Sequence, residues 1–225
     1  SVDMRVATYP ASLGEKLVVR LLDEANRRHR LSELGLSPKQ FNDITSLLDR
    51  SHGFLLVTGP TGSGKTTTLY AALDYLNGPD KHIVTLEDPV EYHIEGITQA
   101  QINPTAGFTF AKGMRALLRQ DPDVAMVGEI RDSQTARTAV EAALTGHVVL
   151  STLHTNDAVS ALIRLIDMGV EPFLVNAAVS GVIAQRLVRL LCDQCKTFYT
   201  PTKEEEYILQ QYDVADKQLF GPIVC

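Results

Sequence analysis

The sequence predicts an α/β fold in which a parallel sheet carries helices on both faces. From residue 54 onward, short apolar runs typical of buried strands alternate with amphipathic segments of helical length. One apolar run, FLLVT at 54–58, leads directly into a glycine-rich turn and then into a helical segment. That order is typical of a strand, loop and helix in a parallel sheet.

The elements can be predicted in order along the chain. A half-buried strand is expected first, at 2–6, because apolar and polar residues alternate there, and a second strand is expected at 15–22. The polar stretch 23–38 predicts a linker with a short turn. The strands expected in the sheet are 54–58, 82–87, 124–128 and 147–153. The expected helices are 38–50, 65–76, 110–119, 133–144, 157–168 and 173–187.

Composition narrows the class of protein. The chain has 225 residues, of which 44% are hydrophobic and 21% charged, as in ordinary globular domains. Its formal net charge of −6 gives no reason to expect a nucleic-acid partner. Three cysteines suit a reducing compartment better than a disulfide framework. No apolar run approaches the ~20 residues that a membrane-spanning helix needs.

The turn GPTGSGKT at 59–66 matches the phosphate-loop pattern G-x-x-x-x-G-K-[ST] at every fixed position. Its glycines allow several backbone N–H groups to face phosphate oxygens at a helix N-terminus. Lys65 is expected to contact the β- and γ-phosphates and Thr66 to bind Mg²⁺, whereas a plain glycine turn does not explain Lys65. The candidate nucleotide contacts are Gly59, Pro60, Thr61, Gly62, Ser63, Gly64, Lys65, Thr66 and Thr67.

Carboxylates follow two of the predicted strands. Glu129 ends VAMVGE, and LEDPVE supplies Glu87, Asp88 and Glu91. Because ligands bind beyond the carboxyl ends of parallel strands, both clusters are expected at the same rim as the glycine loop. Hydrolysis needs a carboxylate near Mg²⁺ and a group that activates water. The alternative is that these are ordinary solvated loop acids.

Two histidines are further candidates for the site. His147 and His154 flank the strand residues 148–152, at the two ends of one strand, and are candidates for phosphate sensing. The alternative is a structural hydrogen-bonding role.

Four arginines are also candidates. Arg115 and Arg119 are four residues apart, so they share a helix face. Arg5 and Arg20 lie on the two N-terminal strands, where they are either solvated charges or arginines that reach across to a phosphate group.

The cysteines indicate an incomplete metal site. Cys192 and Cys195 form C-x-x-C, and Cys225 follows. Structural zinc takes four ligands, so one is missing from this pattern. A redox C-x-x-C is the alternative, although such a motif normally begins a helix in a βαβ unit.

Together these motifs resemble the secretion-ATPase superfamily, and within it the type II secretion and type IV pilus assembly ATPases. The resemblance extends over nearly the whole chain and is carried by five ordered stretches. They are MRVATYPASLGEKLVVRLL at 4–22, GPTGSGKTTTLY at 59–70, TLEDPVEY at 85–92, RALLRQDPDVAMVGEIRD at 115–132 and TGHVVLSTLHTNDA at 145–158.

The resemblance implies roles for particular residues. Glu91 becomes the candidate general base and Glu129 the carboxylate on the Mg²⁺ side. Candidate γ-phosphate contacts, some supplied by a neighbouring domain or subunit, are Arg5, Arg20, Arg115 and Arg119. In assembly-type members a four-cysteine zinc module follows the core, so Cys192, Cys195 and Cys225 match three of its ligands and the fourth is expected beyond Cys225. Because retraction ATPases lack that module, the cysteines favour export or assembly.

The resemblance also implies a domain organisation. Residues 1–30 are expected to be the end of a smaller α+β domain and a linker. Residues 31–190 are expected to form a RecA-like P-loop ATPase core, and 191–225 the incomplete zinc module.

The function implied is a cytoplasmic, hexameric ATPase that uses ATP, Mg²⁺ and Zn²⁺. It would dock peripherally on inner-membrane platform proteins and drive pseudopilus assembly and protein export. The alternatives are a pilus assembly ATPase, a nucleic-acid translocase on the same core, and a nucleotide-gated scaffold without turnover. The negative charge disfavours the translocase, and the carboxylates Glu91 and Glu129 disfavour the scaffold.

Overall fold

The computed structural model describes residues 3–22, 28–211 and 219–222. This described part of the chain falls into two compact units, whose bounds are Ser1–Arg186 and Leu187–Cys225. The predicted domain limits at 30 and 190 stay predictions. None of the described helices is both long enough and apolar enough to cross a membrane.

The first unit begins with an antiparallel hairpin of β1 (Asp3–Ala11) and β2 (Gly14–Leu22). Both predicted strands are confirmed, although β1 continues through Pro10. The expectation of a half-buried strand is wrong, because Met4 is 60% exposed and Val6 59% exposed. Two strands by themselves give their apolar side chains no second layer to pack against.

An all-parallel sheet of six strands forms the centre of this unit. In chain order the strands are β3 (Gly53–Thr58), β4 (Ile83–Glu87), β5 (Thr98–Gln101), β6 (Val124–Val127), β7 (Val148–Leu153) and β8 (Val179–Ala184). Their order across the sheet is β5-β4-β6-β7-β3-β8. The carboxyl ends of β4, β6, β7 and β3 therefore follow one another along a single rim.

Helices cover both faces of the sheet, as predicted. Alternate residues of β3 face opposite layers: Phe54 and Leu56 belong to one apolar cluster, and Leu55 and Val57 to the other. The helices of the unit are α1 (Pro38–Leu48), α2 (Lys65–Leu76), α3 (Phe110–Leu118), α4 (Ser133–Leu144), α5 (Ala158–Asp167) and α6 (Pro172–Ala178). Residues of α1 and α2 pack in the second cluster and those of α3 to α6 in the first.

The predicted helix at 173–187 is wrong in its second half. Only α6 is helical there, and the chain then forms β8, which pairs in parallel with β3. The sequence VSGVI is rich in β-branched residues, which suit a strand. A Cβ atom at Gly181 would lie 2.7 Å from the Leu47 side chain, so glycine permits close packing against α1. β8 ends at Ala184, so the next residue, Gln185, lies at the carboxyl rim of the sheet.

The second unit contains β9 (Lys196–Tyr199), α7 (Lys203–Gln211) and β10 (Leu219–Pro222). β9 and β10 pair antiparallel, with Phe198 stacked on Phe220 at 4.0 Å between ring centroids. The register places Pro222 opposite Lys196, the residue that follows Cys195.

Candidate nucleotide site

The glycine-rich loop connects β3 to α2 at the carboxyl rim of the sheet. Gly64 caps α2 with a left-handed backbone at φ 86°, so that the helix begins at Lys65. A Cβ atom at Gly59 would lie only 2.4 Å from the carbonyl oxygen of Gln185, which requires glycine there. The first turn of α2 therefore presents its unpaired N–H groups at the rim, as an anion site needs.

The ammonium group of Lys65 lies over this loop. Its Nζ donates to the carbonyl oxygens of Gly59 at 2.9 Å and Pro60 at 3.0 Å. Burial lowers the pKa of Lys65, and the nearby negative charge of Glu129 opposes that shift. The loop thus holds a positioned cation, while the buried Ser63 Oγ has no hydrogen-bond partner among the described residues.

Glu129 lies just beyond the end of β6 and has contacts with two basic side chains. Arg131 donates to its Oε1, and Nε2 of His154 is 3.3 Å from its Oε2. Arg131 also lies 3.9 Å from Oδ2 of Asp88. The hydrogen bond to Glu129 raises the pKa of Arg131. Arg131 therefore links the carboxylates that follow β4 and β6, and it was not among the site residues predicted from the sequence.

Glu87, at the end of β4, is a buried structural carboxylate with 3% exposure. It accepts hydrogen bonds from Tyr70 and Thr85, and from Nε2 of Gln99 at 3.1 Å. The pKa of Tyr70 is raised, mainly by burial and next by the hydrogen bond to Glu87, so the phenol keeps its proton. These contacts tie the end of β4 to α2.

Glu91 is half-buried on the loop after β4. Its backbone N–H donates to the hydroxyl oxygen of Tyr70 at 3.1 Å. Because Tyr70 simultaneously donates to Glu87, the phenol fixes the main chain of Glu91 relative to α2. The sequence gives no direct signal for this link, since Tyr70 is simply one apolar position of the helix.

The two histidines lie at opposite ends of β7. His154 follows β7 and contacts Glu129 at the rim. His147 precedes β7, where its backbone carbonyl accepts from Gly53 at the start of β3. Gly53 and Thr58 are five positions apart along β3, a rise of about 17 Å. A strand has only one carboxyl end, so the structure does not bring His147 to the glycine loop of its own chain; Nδ1 of this ring lies 3.1 Å from the carbonyl oxygen of Ala142.

Two of the candidate arginines, Arg115 and Arg119, lie apart from the loop of their own chain. Arg115 is exposed on α3 and Arg119 is the exposed residue that caps its C-terminus. α3 returns from the carboxyl rim to the start of β6, so the C-terminal end of α3 lies near the amino-terminal ends of the strands. Arg20 is exposed on β2, in register with Arg5 on β1. A phosphate contact from α3 would require a neighbouring chain.

The cysteines lie in the second unit. Cys192 and Cys195 stand at the two ends of one turn, in which the Cys195 N–H donates to the Cys192 carbonyl at 3.3 Å. Cys225 lies outside the described residues. Within the ranges 3–22, 28–211 and 219–222, no group of three or more His, Cys, Asp or Glu residues forms a potential metal site.

Known proteins resemble this chain along its whole length. A family model described as type II/IV secretion system protein matches residues 1–225. Type II secretion system protein E of Aeromonas hydrophila is 52% identical over 225 residues, covering 100% of this chain and 45% of that protein. Type II secretion system ATPase E of Vibrio cholerae is 57% identical over 205 residues, covering 91% of this chain and 41% of that protein. The chain thus spans less than half the length of these curated relatives.

Solved structures agree with the sequence relatives. The pilus retraction motor PilT with bound ADP has a TM-score of 0.71 and 31% identity, covering 96% of this chain and 58% of PilT. The Legionella pneumophila ATPase DotB has a TM-score of 0.61 and 27% identity, covering 78% of this chain and 49% of DotB.

Proposed function

Since the chain belongs to the type II/IV secretion system protein family, we propose that it is the ATP-hydrolysing motor part of a type II secretion ATPase. The observation that carries this proposal is the shared rim: a phosphate loop with a positioned Lys65, next to carboxylates that follow β4 and β6. Relatives named for type II secretion are 51% to 58% identical, whereas the retraction motor PilT is 31% identical. The family relationship therefore favours secretion over pilus retraction.

The residues of the rim fit a nucleotide bound with Mg²⁺. The positive φ angles of the loop, the N-terminus of α2 and the Lys65 cation together suit phosphate groups. The loop from Gly59 to Thr67 would hold the phosphates. The hydroxyl of Thr66 and the carboxylate of Glu129 would hold Mg²⁺, which supplies charge neutralisation for the transferred phosphoryl group.

The remaining residues take roles in the hydrolytic step. Glu91 accepts the proton of the attacking water, on a loop whose main chain Tyr70 fixes. Arg131 and His154 orient Glu129. Lys65 stabilises negative charge on the β- and γ-phosphates. Arginine side chains from other parts of the fold or from a neighbouring subunit complete the site. The candidates are Arg5 and Arg20 on the β1–β2 hairpin and Arg115 and Arg119 on α3.

We further propose that the active form is a cytoplasmic homo-oligomer, such as a hexamer, docked on inner-membrane secretion platform proteins. Arg115 and Arg119 are exposed and distant from the loop of their own chain, which suits contacts between subunits. A pilus assembly ATPase is the alternative within the same family. Nucleic acid is not expected as a partner at a net charge of −6, and stimulation of turnover by DNA would revive the translocase hypothesis.

Specific ATPase activity is expected to rise with protein concentration and then level off. An arginine supplied by a neighbour acts only in the assembled state, so dilution removes it from the site. The measurement is turnover per subunit over a wide dilution series, with oligomeric state followed in parallel. For Arg20→Ala, turnover per subunit should stay low at every protein concentration. Activity per subunit that is the same for monomer and oligomer would contradict arginine supply in trans.

Zinc is proposed for the second unit. β10 ends at Pro222, which pairs with Lys196, the residue that follows Cys195. Structural zinc is normally four-coordinate, and its binding energy in such modules is largely folding energy. Cys192, Cys195 and Cys225 would supply three thiolates.

We therefore expect residues 1–225 to hold zinc weakly and a chain extended by one further cysteine to hold it tightly. Metal analysis of both proteins is the measurement, with Cys195→Ser in the extended chain as the variant that loses zinc. Tight stoichiometric zinc in residues 1–225 would show that another residue completes the site. An extended chain without zinc would remove the module, and with it the cysteine-based preference for assembly over retraction.

A further inference from the structure

Gln185, the residue that follows β8, contacts the phosphate loop and the two elements that the loop connects. Its backbone N–H donates to the Thr58 carbonyl at 3.0 Å, which extends the ladder between β8 and β3 by one residue. Its side-chain Nε2 donates to the Ser63 carbonyl at 2.6 Å. Its Oε1 accepts from the hydroxyl of Thr68, in the first turn of α2, at 2.8 Å. Gln185 thus connects the end of β3, the loop at Ser63 and the first turn of α2, and its half-buried side-chain amide makes the last two of these contacts.

The contact with Ser63 fixes the direction of one peptide group. In a planar trans peptide the C=O and N–H bonds point in opposite directions. Because the Ser63 carbonyl is bound to Gln185, the N–H of Gly64 points away from Gln185. Gly64 is the left-handed cap of α2, so this N–H is one of the unpaired donors at the helix N-terminus. A free carbonyl at Ser63 would let the peptide rotate, and the donor would lose its direction.

The carbonyl of Gln185 also constrains the loop. It lies 2.4 Å from the point where a Cβ atom on Gly59 would be, so the two segments are in close backbone contact. Main chain and side chain of one residue therefore hold both the entry strand and the helix cap. Only a side chain with one donor and one acceptor at this length makes both side-chain bonds, which is the property of glutamine.

We propose that Gln185 is a positioning residue of the nucleotide site, which orients the peptide between Ser63 and Gly64 so that the Gly64 N–H is directed at a bound phosphate. The inference rests on the proposed nucleotide function and names a residue outside the loop motif. Its ligand is the diphosphate part of an adenine nucleotide. Gln185 acts through the loop and does not itself touch the phosphates.

The test is the binding of ADP to the full chain by calorimetry, with thermal melting of each variant. Gln185→Met keeps the length of the side chain but removes both hydrogen bonds, and each such bond contributes enough that ADP affinity should fall roughly tenfold. Gln185→Glu can still accept from Thr68 but, when ionised, cannot donate to the Ser63 carbonyl. It should bind ADP more weakly than the methionine variant, since it also adds negative charge near the phosphates. Gln120→Met, at an exposed position beyond the C-terminal end of α3, should bind ADP like the unmodified protein.

A double-mutant cycle separates positioning from general packing. Thr68→Val removes the hydroxyl that Gln185 accepts from, and its effect on ADP affinity should be smaller in the Gln185→Met background than in the unmodified protein. Equal ADP affinity of Gln185→Met and the unmodified protein would overturn the inference alone. Additive effects in the cycle, or loss of folding in both Gln185 variants, would assign Gln185 to the fold and also overturn it. If the unmodified protein binds no ADP, the proposed function fails and this inference fails with it.

Discussion

Replacing Lys65 with alanine is expected to abolish ATP hydrolysis and leave the fold intact. Lys65 is the cation held over the loop by the carbonyls of Gly59 and Pro60, and it is the side chain positioned to neutralise the β- and γ-phosphates. Both carbonyl partners lie in a loop at the rim, where water can replace the ammonium group. The variant should therefore melt close to the temperature of the unmodified protein.

Turnover and thermal melting of Lys65→Ala are the measurements. Lys39→Ala provides a matched control, because Lys39 is an exposed lysine in the first turn of another helix, α1. The control should hydrolyse ATP normally. A Lys65→Ala variant with unchanged turnover would refute the assignment of the loop as the nucleotide site.

The Glu91→Gln variant is expected to hydrolyse bound ATP roughly 10²–10⁴-fold more slowly, because a general base contributes about that much to the transition state. Its affinity for ATP should change little. Glutamine keeps the shape of the side chain and the backbone N–H that donates to Tyr70, but it cannot take a proton from water. Single-turnover rate and equilibrium affinity measured on the same protein separate the two effects.

Glu95→Gln is the control for that experiment, since Glu95 is an exposed glutamate four residues later on the same loop. It should leave both quantities unchanged. If Glu91→Gln loses affinity but hydrolyses bound ATP at the normal rate, Glu91 is a metal or structural residue. Asp88 would then be the next candidate base. Glu87 is excluded by geometry, because its buried carboxylate is already occupied by Tyr70, Thr85 and Gln99.

The strand–loop–helix order could be predicted from the sequence because local signals determine it. Buried strands such as β3 are short apolar runs, and the loop after it has a fixed residue pattern. The location of the carboxylates after β4 and β6, at the same rim as the loop, could be predicted from sheet geometry, since parallel strands end at one rim. Helix α2 was predicted with its observed bounds, Lys65–Leu76.

The errors have physical causes as well. Residues 179–184 carry apolar side chains at a spacing that suits either a helix or a strand, and pairing with the free edge of β3 decided for the strand. Because that segment was expected to be helical, Gln185 was not expected at the rim. His147 and His154 were both proposed because they stand at the two ends of one strand, and only the carboxyl end, with His154, meets the loop of the same chain.

Contacts across the fold could not be predicted from one sequence. The link from Tyr70 to Glu87 and Glu91 joins residues 17 and 21 positions apart, and the bonds from Gln185 to Thr68 and Ser63 span 117 and 122 positions. No local pattern marks such partners. Arg131 had a stronger signal, because it stands two residues after Glu129 at the end of the same apolar strand.

The decisive measurement is phosphate release from ATP as a function of Mg²⁺ concentration, at high protein concentration. We propose that the loop of Lys65 and the carboxylates Glu91 and Glu129 form one hydrolytic site. We expect saturable, Mg²⁺-dependent release that Lys65→Ala abolishes and that Glu91→Gln slows while ATP remains bound. Release that is independent of Mg²⁺, or that continues at the same rate in both variants, would contradict that proposal.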